Sequence, residues 1–240
     1  MRVHRFYYNF SPNEKKIKIQ DKNLIHQLRN ILRMKKGQEI IIFNEKEERK
    51  GEIILLTKDF LEISLKEEVN SLKESRIYVC LFASLLKREN FEILVEKVTE
   101  IGVKEIYPLI CKRTVKLNFK EERLKRIIKE ASEQCGRKSL TILHPPFEFE
   151  KAINLVNNQA NFFLDFFGEN FQKVVRSFPL EKMERVNLFL GPEGGWTEEE
   201  KEKAIKKNFF IVKISDLIFR SETAGIVGSY LLTHFLDFLS

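Results

Sequence analysis

The 240-residue sequence contains few of the residues that mark fibrous, disulfide-bonded or membrane-spanning proteins. Ten glycines and six prolines are too few for a collagen-like or low-complexity chain. Three cysteines, Cys80, Cys111 and Cys135, form an odd and widely spaced set, which indicates neither a disulfide framework nor a zinc site, so we expect no metal. No apolar run approaches the roughly 20 residues of a membrane span, and residues 1–10 lack the apolar stretch of a signal peptide. We therefore expect a cytoplasmic protein with no membrane partner.

The composition is that of a globular protein with a substantial core. Hydrophobic residues make up 43% of the chain and charged residues 32%, which excludes a disordered chain. The length suits one large domain or two modest ones.

Positive charge is concentrated near the N-terminus. Residues 1–36 contain ten lysines and arginines but only two acidic residues, Glu14 and Asp21, so this segment holds the whole net charge of +7. Such an asymmetry favours a polyanionic partner. The alternative is a solvated basic face without a partner.

The first 70 residues predict a small β-rich domain. Strands are expected at 3–8, 38–43, 51–57 and 60–65, and a helix at 22–34. Leu24, Leu28, Ile31 and Leu32 share one side of that helix, which is expected to pack on the core. Lys22, Arg29, Arg33 and Lys36 share the opposite side and are expected to face outward. The polar segment 67–75 is expected to be a linker.

From residue 76 onward the pattern alternates between strand and helix. Apolar runs predict strands at 76–84, 104–110, 161–167, 186–191 and 208–214. Helices are expected at about 91–101, ended by Gly102, and at 121–136, 197–207 and 222–239. This alternation is typical of an α/β domain with a largely parallel sheet.

Two loops of this second part are candidates for a ligand site, because ligands of open parallel sheets bind at the carboxyl ends of strands. Residues 190–200 contain three glycines directly after a strand, and Thr197 with Glu200 predicts a capping box. The loop matches neither a phosphate-binding Walker loop nor a dinucleotide fingerprint, and it could be a plain turn.

The other loop, 214–225, leads into the last helix, for which Ser221 is the predicted N-cap. Ala224, Gly225, Gly228 and Ser229 then place small residues on one helical face. That face indicates ordinary core packing, a crowded ligand site or a subunit interface.

The motifs of these loops resemble those of the RsmE-type family of SPOUT methyltransferases. GPEGGW occurs at 191–196 and LIFRSETA at 217–224, and further matches occur in order along the chain: RVHRFY at 2–7, ILRMKKGQ at 31–38, EKVTEIGV at 96–103 and EQCGR at 133–137. Proteins of this family methylate uridine N3 in small-subunit ribosomal RNA with S-adenosylmethionine.

The resemblance implies a PUA-like RNA-binding domain at 1–70 and a SPOUT methyltransferase domain at 76–240. Its parallel α/β sheet would carry a C-terminal trefoil knot, which the residue pattern alone does not predict, since it favours an unknotted doubly wound sheet. The implied partners are 16S ribosomal RNA or the small ribosomal subunit, and a second copy of the chain in a homodimer.

Chemistry and charge add roles for particular residues. Because uridine N3 must lose its proton, we expect Arg220 to stabilise charge on the uracil oxygens and Glu222 or Glu193 to accept the proton, the alternative being that these glutamates hold a backbone amide or pair with Arg220. The charge excess of residues 1–36 leads us to expect that Arg2, Arg5, Arg29 and Arg33 contact the RNA. The remaining roles follow from the resemblance. The cofactor would contact Leu164, Phe166, Leu190, Gly191, Gly195, Ile214, Leu217 and Phe219.

Three positions depart from the family's usual last-loop pattern. Ser215 stands where a glycine is usual, Leu217 where an arginine is usual, and Phe219 where a leucine is usual. A serine at a glycine position could force a different backbone path. Two alternatives to 16S methylation stay open: a SPOUT methyltransferase that acts on another RNA, and a non-catalytic RNA-binding factor for ribosome assembly.

Overall fold

The structure is a computed structural model that describes residues 3–69, 74–115, 119–156, 160–177, 183 and 185–234. These residues form two compact units. The first consists of the described part of 1–73 together with 132–139, and the second of the described parts of 74–131 and 140–240. Segment 132–139 therefore groups with the first unit, and the domain bounds 1–70 and 76–240 stay predictions.

The first unit is built on a five-stranded sheet. Its strands are β1 (Arg5–Tyr7), β2 (Lys16–Ile19), β3 (Glu39–Phe43), β4 (Glu48–Leu56) and β5 (Leu61–Glu68). They lie in the order β1-β3-β4-β5-β2, with β1 parallel to β3 and the other pairs antiparallel. Four of these strands coincide with predicted ones. The four-residue β2 was missed, because its alternation of Ile17 and Ile19 with lysines is too short to stand out.

The basic helix is shorter than predicted and changes its winding. It runs as α1 (Lys22–His26) and continues as a π-helical turn over Gln27–Ile31. The wider turn changes the angular spacing of its residues, so its last residue, Ile31, is 65% exposed and the prediction that it faces the core is wrong. Arg33 then adopts a left-handed φ of 51°, and the helix therefore does not reach residue 34.

The second unit contains a seven-stranded parallel sheet. Its strands lie in the order β12-β10-β11-β6-β7-β8, with β9 also paired to β7, and every pair is parallel. The prediction of a parallel α/β sheet is thus confirmed, while the trefoil knot stays a prediction. The bounds are β6 (Val79–Ser84), β7 (Glu105–Ile110), β8 (Ile142–Leu143), β9 (Phe147–Glu148), β10 (Ala160–Asn170), β11 (Val186–Leu190) and β12 (Phe210–Lys213).

Helices cover this sheet, and the predicted helices are present in the described residues. Residues 235–239 of the last predicted helix lie outside those residues. Gly102 ends one of them with a left-handed φ of 107°, as expected for a C-cap. Two short helices, α4 and α5, were not predicted. The bounds are α2 (Arg88–Ile101), α3 (Glu121–Cys135), α4 (Phe149–Leu155), α5 (Phe171–Arg176), α6 (Glu198–Lys206) and α7 (Ser221–Thr233).

The core of the second unit lies on the sheet. Every residue of β6 and β11 is buried, which explains their continuous apolar runs. Strands β12, β10 and β11 are neighbours, so the loops after their carboxyl ends converge. None of the helices in the described ranges is long and apolar enough to cross a membrane.

Candidate functional site

A cleft of about 410 Å³ opens where the loops after β10, β11 and β12 converge. In β10 the pairing with β12 shifts register between Leu164 and Glu169, so residues 165–168 bulge out of the ladder. This bulge carries Asp165, Phe166 and Phe167 to the cleft. The cleft is therefore formed by the ends of these strands, the β10 bulge and the glycine-rich loop after β11.

The structure brings together all eight residues predicted to contact the cofactor. Two of them, Leu217 and Phe166, lie at the rim with 73% and 43% of their surface exposed. Exposed apolar side chains around a concave surface are typical of small-molecule sites. The eight predicted residues that line the cleft are Leu164, Phe166, Leu190, Gly191, Gly195, Ile214, Leu217 and Phe219.

Trp196 connects the glycine-rich loop to β10. Its indole is buried, stacks on Phe163 at a centroid distance of 4.3 Å, and donates through Nε1 to the carbonyl oxygen of Leu164 at 3.0 Å. A Cβ atom at Gly191 would lie 2.9 Å from this indole. Glycine is therefore required at 191 by packing within the chain, and not only by the approach of a ligand.

Two further side chains hold the same loop. Arg113 donates to the carbonyl oxygens of Gly194 at 2.8 Å and Trp196 at 3.2 Å. Glu193 accepts a hydrogen bond of 2.9 Å from the backbone N–H of Lys87. The loop's backbone is consequently fixed from both sides before any ligand arrives.

The predicted capping box at the end of this loop is confirmed. The backbone N–H of Glu200 donates to the Thr197 hydroxyl, and the Glu200 carboxylate accepts from the Thr197 backbone N–H. The other oxygen of Glu200 accepts from the backbone N–H of Lys112 at 2.9 Å. This carboxylate therefore serves the architecture of the loop.

The departure at Ser215 is accommodated without strain. Its backbone does not adopt a positive φ, so a glycine is not needed there. Its hydroxyl accepts a hydrogen bond of 3.0 Å from the backbone N–H of Leu217, which closes a local turn.

Arg220 and Glu222 lie in a second cleft of about 450 Å³ next to the first. The Arg220 side chain is exposed and forms no ion pair or hydrogen bond within the described residues. Glu222 is only 9% exposed, and its Oε2 is buried with no hydrogen-bond partner in the described structure. A buried carboxylate oxygen without a partner is costly and marks a candidate functional group.

The start of the last helix differs from the prediction by one residue. Arg220, and not Ser221, is the N-cap, and its side chain makes no capping hydrogen bond. Because the extended backbone of the N-cap places Arg220 outside the helix, its side chain is free to face the second cleft.

The small residues of α7 pack within their own chain. A Cβ atom at Gly225 would meet Leu190 at 2.7 Å and Leu94 at 2.8 Å, and one at Gly228 would meet Leu188 at 3.0 Å. Core packing therefore explains both glycines, and they are not free for a subunit interface. The homodimer itself stays a prediction.

Arg5 does not belong to the basic surface, which corrects its predicted role in RNA binding. Its guanidinium donates to both carboxylate oxygens of Glu48, at 2.8 and 3.0 Å, and lies 4.4 Å from the Phe43 ring centre. It also donates to the carbonyl oxygens of Ser132 and Arg137, at 3.3 and 3.0 Å. With a side chain only 8% exposed, Arg5 is a structural residue of the first unit.

Other predicted basic residues are accessible. Arg29 and Arg33 are exposed and form no ion pair within the described part of the chain, and Lys22 and Lys36 are exposed as well. Arg2 lies outside the described residues. The exposed basic residues of this surface are Lys15, Lys16, Lys18, Lys22, Arg29, Arg33, Lys35 and Lys36, hereafter the basic surface.

Sequence reasoning missed several residues of the first cleft. Arg113, Phe167 and Lys201 line it, and Lys201 Nζ lies 3.6 Å from Asp165 Oδ2. Asp165 and Phe167 lie at the carboxyl end of the predicted strand 161–167, and Arg113 follows the predicted strand 104–110. Position at a strand end was therefore the signal that could have found them. No group of three or more metal-ligating side chains occurs among the residues described.

Comparison with known proteins identifies the class. A family model described as RNA methyltransferase domain matches residues 73–232, and one described as RNA methyltransferase PUA domain matches residues 21–66. The fold and the matches together define an RNA methyltransferase with an accessory PUA domain. Because the first model spans well over half of the sequence, the chain belongs to the RNA methyltransferase domain family.

The sequences of similar proteins match this chain over most of its length. Ribosomal RNA small subunit methyltransferase E of Rickettsia conorii is 27% identical over 95% of this chain and 94% of its own, and that of Bacillus subtilis is 27% identical over 84% of each. The fold resembles that of a ribosomal RNA small subunit methyltransferase E from Neisseria gonorrhoeae bound to S-adenosyl methionine. That chain has a TM-score of 0.84, 24% identity and 98% coverage of both chains.

Proposed function

We propose that this protein methylates N3 of a specific uridine in 16S ribosomal RNA of the small subunit, with S-adenosylmethionine as the methyl donor. The observation that carries the proposal is the convergence of eight predicted cofactor residues on one cleft, beside a second cleft that holds Arg220 and Glu222. The similar proteins named as small subunit ribosomal RNA methyltransferases support the choice of substrate.

The residues of the first cleft fit S-adenosylmethionine. About 410 Å³ lies within the range of about 300–1,000 Å³ usual for small-molecule sites. Leu164, Ile214 and Leu217 supply apolar surface for the adenine ring, and the backbone around Gly191 and Gly195 is held in place to hydrogen-bond it. When bound, the cofactor supplies an electrophilic methyl group on its sulfonium.

The second cleft supplies the groups that the nucleophile needs. Uridine N3 is a poor nucleophile while it carries its proton, so removal of that proton or stabilisation of the resulting charge accelerates attack. Glu222 accepts the proton, and Arg220 donates hydrogen bonds to the uracil oxygens, where negative charge develops. Glu193 is the weaker candidate for the base, because it already accepts a hydrogen bond from Lys87.

The basic surface of the first unit contacts the RNA. Its eight exposed lysines and arginines neutralise phosphates, which provides affinity with little base specificity. The partner is 16S ribosomal RNA, free or in the small ribosomal subunit, and the reaction takes place in the cytoplasm.

The protein acts as a homodimer with its cofactor cleft near the interface. Since Gly225 and Gly228 pack inward, the surface that the partner copy covers consists of other residues. Sedimentation at micromolar concentration tests this part: a dimer is expected, and a monomer would contradict it.

Calorimetry with S-adenosylmethionine tests the cofactor site. Leu217→Asp should weaken binding about 10- to 100-fold, because it replaces apolar contact with a charge. Since Leu217 is 73% exposed, the melting temperature should stay unchanged. Leu155→Asp is the matched control, because Leu155 is 58% exposed and lies on α4 away from the cleft.

The outcomes separate the alternative functions. Wild-type protein that binds ribosomal RNA but no S-adenosylmethionine would be a ribosome-assembly factor. Protein that binds the cofactor but transfers methyl groups only to another RNA would be a methyltransferase of different specificity.

A further inference from the structure

The second cleft has features that the methyl-transfer reaction alone does not explain. Besides Arg220 and Glu222, the start of α2 lines it with Lys87 and Asn90. The Asn90 side chain is half-buried and has no hydrogen-bond partner in the described part of the chain. A half-buried amide with free donors, lining the same cleft as a glutamate with an unpartnered carboxylate oxygen, indicates a site for a polar ligand.

The cleft adjoins the cofactor cleft through shared residues. Phe219 and Ser221 line both clefts. A ring placed in the second cleft would therefore lie next to whatever occupies the first, and Phe219 offers it an apolar contact. Exposed Ile218, with 81% of its surface accessible, also lines both and adds apolar surface at the mouth.

The polar groups of the cleft include the donor and acceptor types that the edge of one base requires. Uracil presents N3–H between two carbonyl oxygens, so it requires one acceptor flanked by donors. Glu222 is the acceptor, and Arg220 and Asn90 are the donors. Cytosine would instead direct the lone pair of its N3 at the carboxylate, which is repulsive.

We propose that the second cleft is the pocket for the target base, and that Asn90 recognises the uracil by donating a hydrogen bond to one of its carbonyl oxygens. This inference rests on the proposed function. The base enters the cleft flipped out of its stack, because the reacting atom of a stacked or paired base cannot reach the site. Asn90 is thus a specificity residue, and the α2 segment that carries it becomes part of the substrate site.

Methylation kinetics of Asn90 variants test the pocket on an RNA fragment that contains the target uridine. Asn90→Ala should lower kcat/KM about 3- to 10-fold, the value of one hydrogen bond between uncharged groups. Asn90→Asp should lower it further, because its carboxylate faces a carbonyl oxygen and the nearby Glu222. The control is Glu89→Ala on the neighbouring residue, which is exposed and does not line this cleft.

RNAs that carry 2-thiouridine or 4-thiouridine at the target position identify the contact. Sulfur is a weaker acceptor, so wild-type protein should lose rate on the analogue altered at the oxygen that Asn90 binds. The rate of Asn90→Ala should fall no further on that analogue, since the interaction is already absent.

Binding to an RNA with an abasic target position provides a readout without turnover. Wild-type protein should bind this RNA more weakly than the uridine RNA. The difference in affinity between the two RNAs should be smaller for Asn90→Ala.

The opposite results would overturn either the base pocket or the proposed function. The base pocket alone would be overturned if both Asn90 variants kept the wild-type kcat/KM. It would also be overturned if both thio analogues slowed Asn90→Ala by the same factor as they slow wild-type protein. Wild-type protein that methylates no uridine would overturn the proposed function and the pocket with it. Loss of cofactor affinity or of melting temperature in Asn90→Ala would show a structural role instead.

Discussion

The indole Nε1 of Trp196 donates a hydrogen bond of 3.0 Å to the carbonyl oxygen of Leu164, and this contact joins the two loops that form most of the candidate cofactor cleft. Trp196 is 4% exposed and packs directly under Gly191. The shape of the cleft therefore depends on a residue whose own side chain is almost entirely buried.

Trp196→Phe should weaken S-adenosylmethionine binding by about 3- to 10-fold, because it removes this hydrogen bond and leaves the Leu164 carbonyl without its indole partner. Calorimetry measures the loss. Phe209→Leu serves as a control for general core damage, since Phe209 is also buried but does not line the cleft. Equal cofactor affinity in wild type and Trp196→Phe would show that the contact does not position the loop.

Arg220→Ala should lower single-turnover methylation by about 10²–10³, the usual effect of removing a donor that stabilises developing negative charge. Its cofactor affinity and melting temperature should change little, because the Arg220 side chain is exposed and has no ion pair in the described structure. Arg76→Ala, at another exposed arginine, controls for the loss of one positive charge. Methylation at the wild-type rate would remove Arg220 from the mechanism.

Arg29→Ala and Arg33→Ala should each reduce the slope of log affinity against log salt for ribosomal RNA by about 0.7–0.9, the effect of one lost phosphate contact. Filter binding over a series of salt concentrations measures it. Arg176→Ala is the control, since Arg176 is exposed but lies in the second unit. Unchanged slopes in both Arg29→Ala and Arg33→Ala would rule out the basic surface as the RNA contact. All three variants, the control included, should bind the cofactor with wild-type affinity.

A cluster of ionisable groups surrounds Glu105 at the amino end of β7. The Glu105 carboxylate accepts hydrogen bonds from the hydroxyls of Tyr78 and Tyr107 and lies 2.6 Å from His144 Nε2 and 3.4 Å from the Arg185 guanidinium. Burial raises the pKa of Glu105, but these hydrogen bonds and the positive charge of Arg185 outweigh it. The pKa of Glu105 is therefore below its usual value.

Because this pKa is lower in the folded than in the unfolded protein, ionised Glu105 stabilises the fold above the unfolded value of about 4.3. That contribution disappears as the pH falls through the folded pKa. Glu105→Gln should thus lose about 1–3 kcal/mol at pH 7 and show a shallower decline of melting temperature below pH 5. Glu202→Gln, at an exposed site, should behave like wild type. Identical profiles for Glu105→Gln and wild type would contradict the stabilising role.

Much of the fold and the cleft could be predicted from local pattern. The continuous apolar runs of β6 and β11 indicated a sheet covered on both faces, and the position of the loops after strands indicated the cleft. Features that depend on distant contacts could not be predicted. Nothing near Arg5 in the sequence shows that Glu48 pairs with it, so a buried arginine was assigned to an exposed surface.

Helix geometry was the other feature that the sequence pattern did not predict correctly. The π-helical turn at Gln27–Ile31 leaves no clear trace in the apolar spacing, so Ile31 was placed in the core. Likewise, the small residues of α7 indicated close packing, but only the folded structure shows that Leu94, Leu188 and Leu190 are the contacts.

The most direct test of the account is nucleoside mass spectrometry of small-subunit ribosomal RNA after incubation with the protein and S-adenosylmethionine. The RNA should come from cells that lack the protein, so that the target uridine is unmodified. We expect 3-methyluridine at one position with wild-type protein and only a small fraction of it with Arg220→Ala. Methyl groups on another base, on another atom of uridine, or on no nucleoside at all would contradict the assignment.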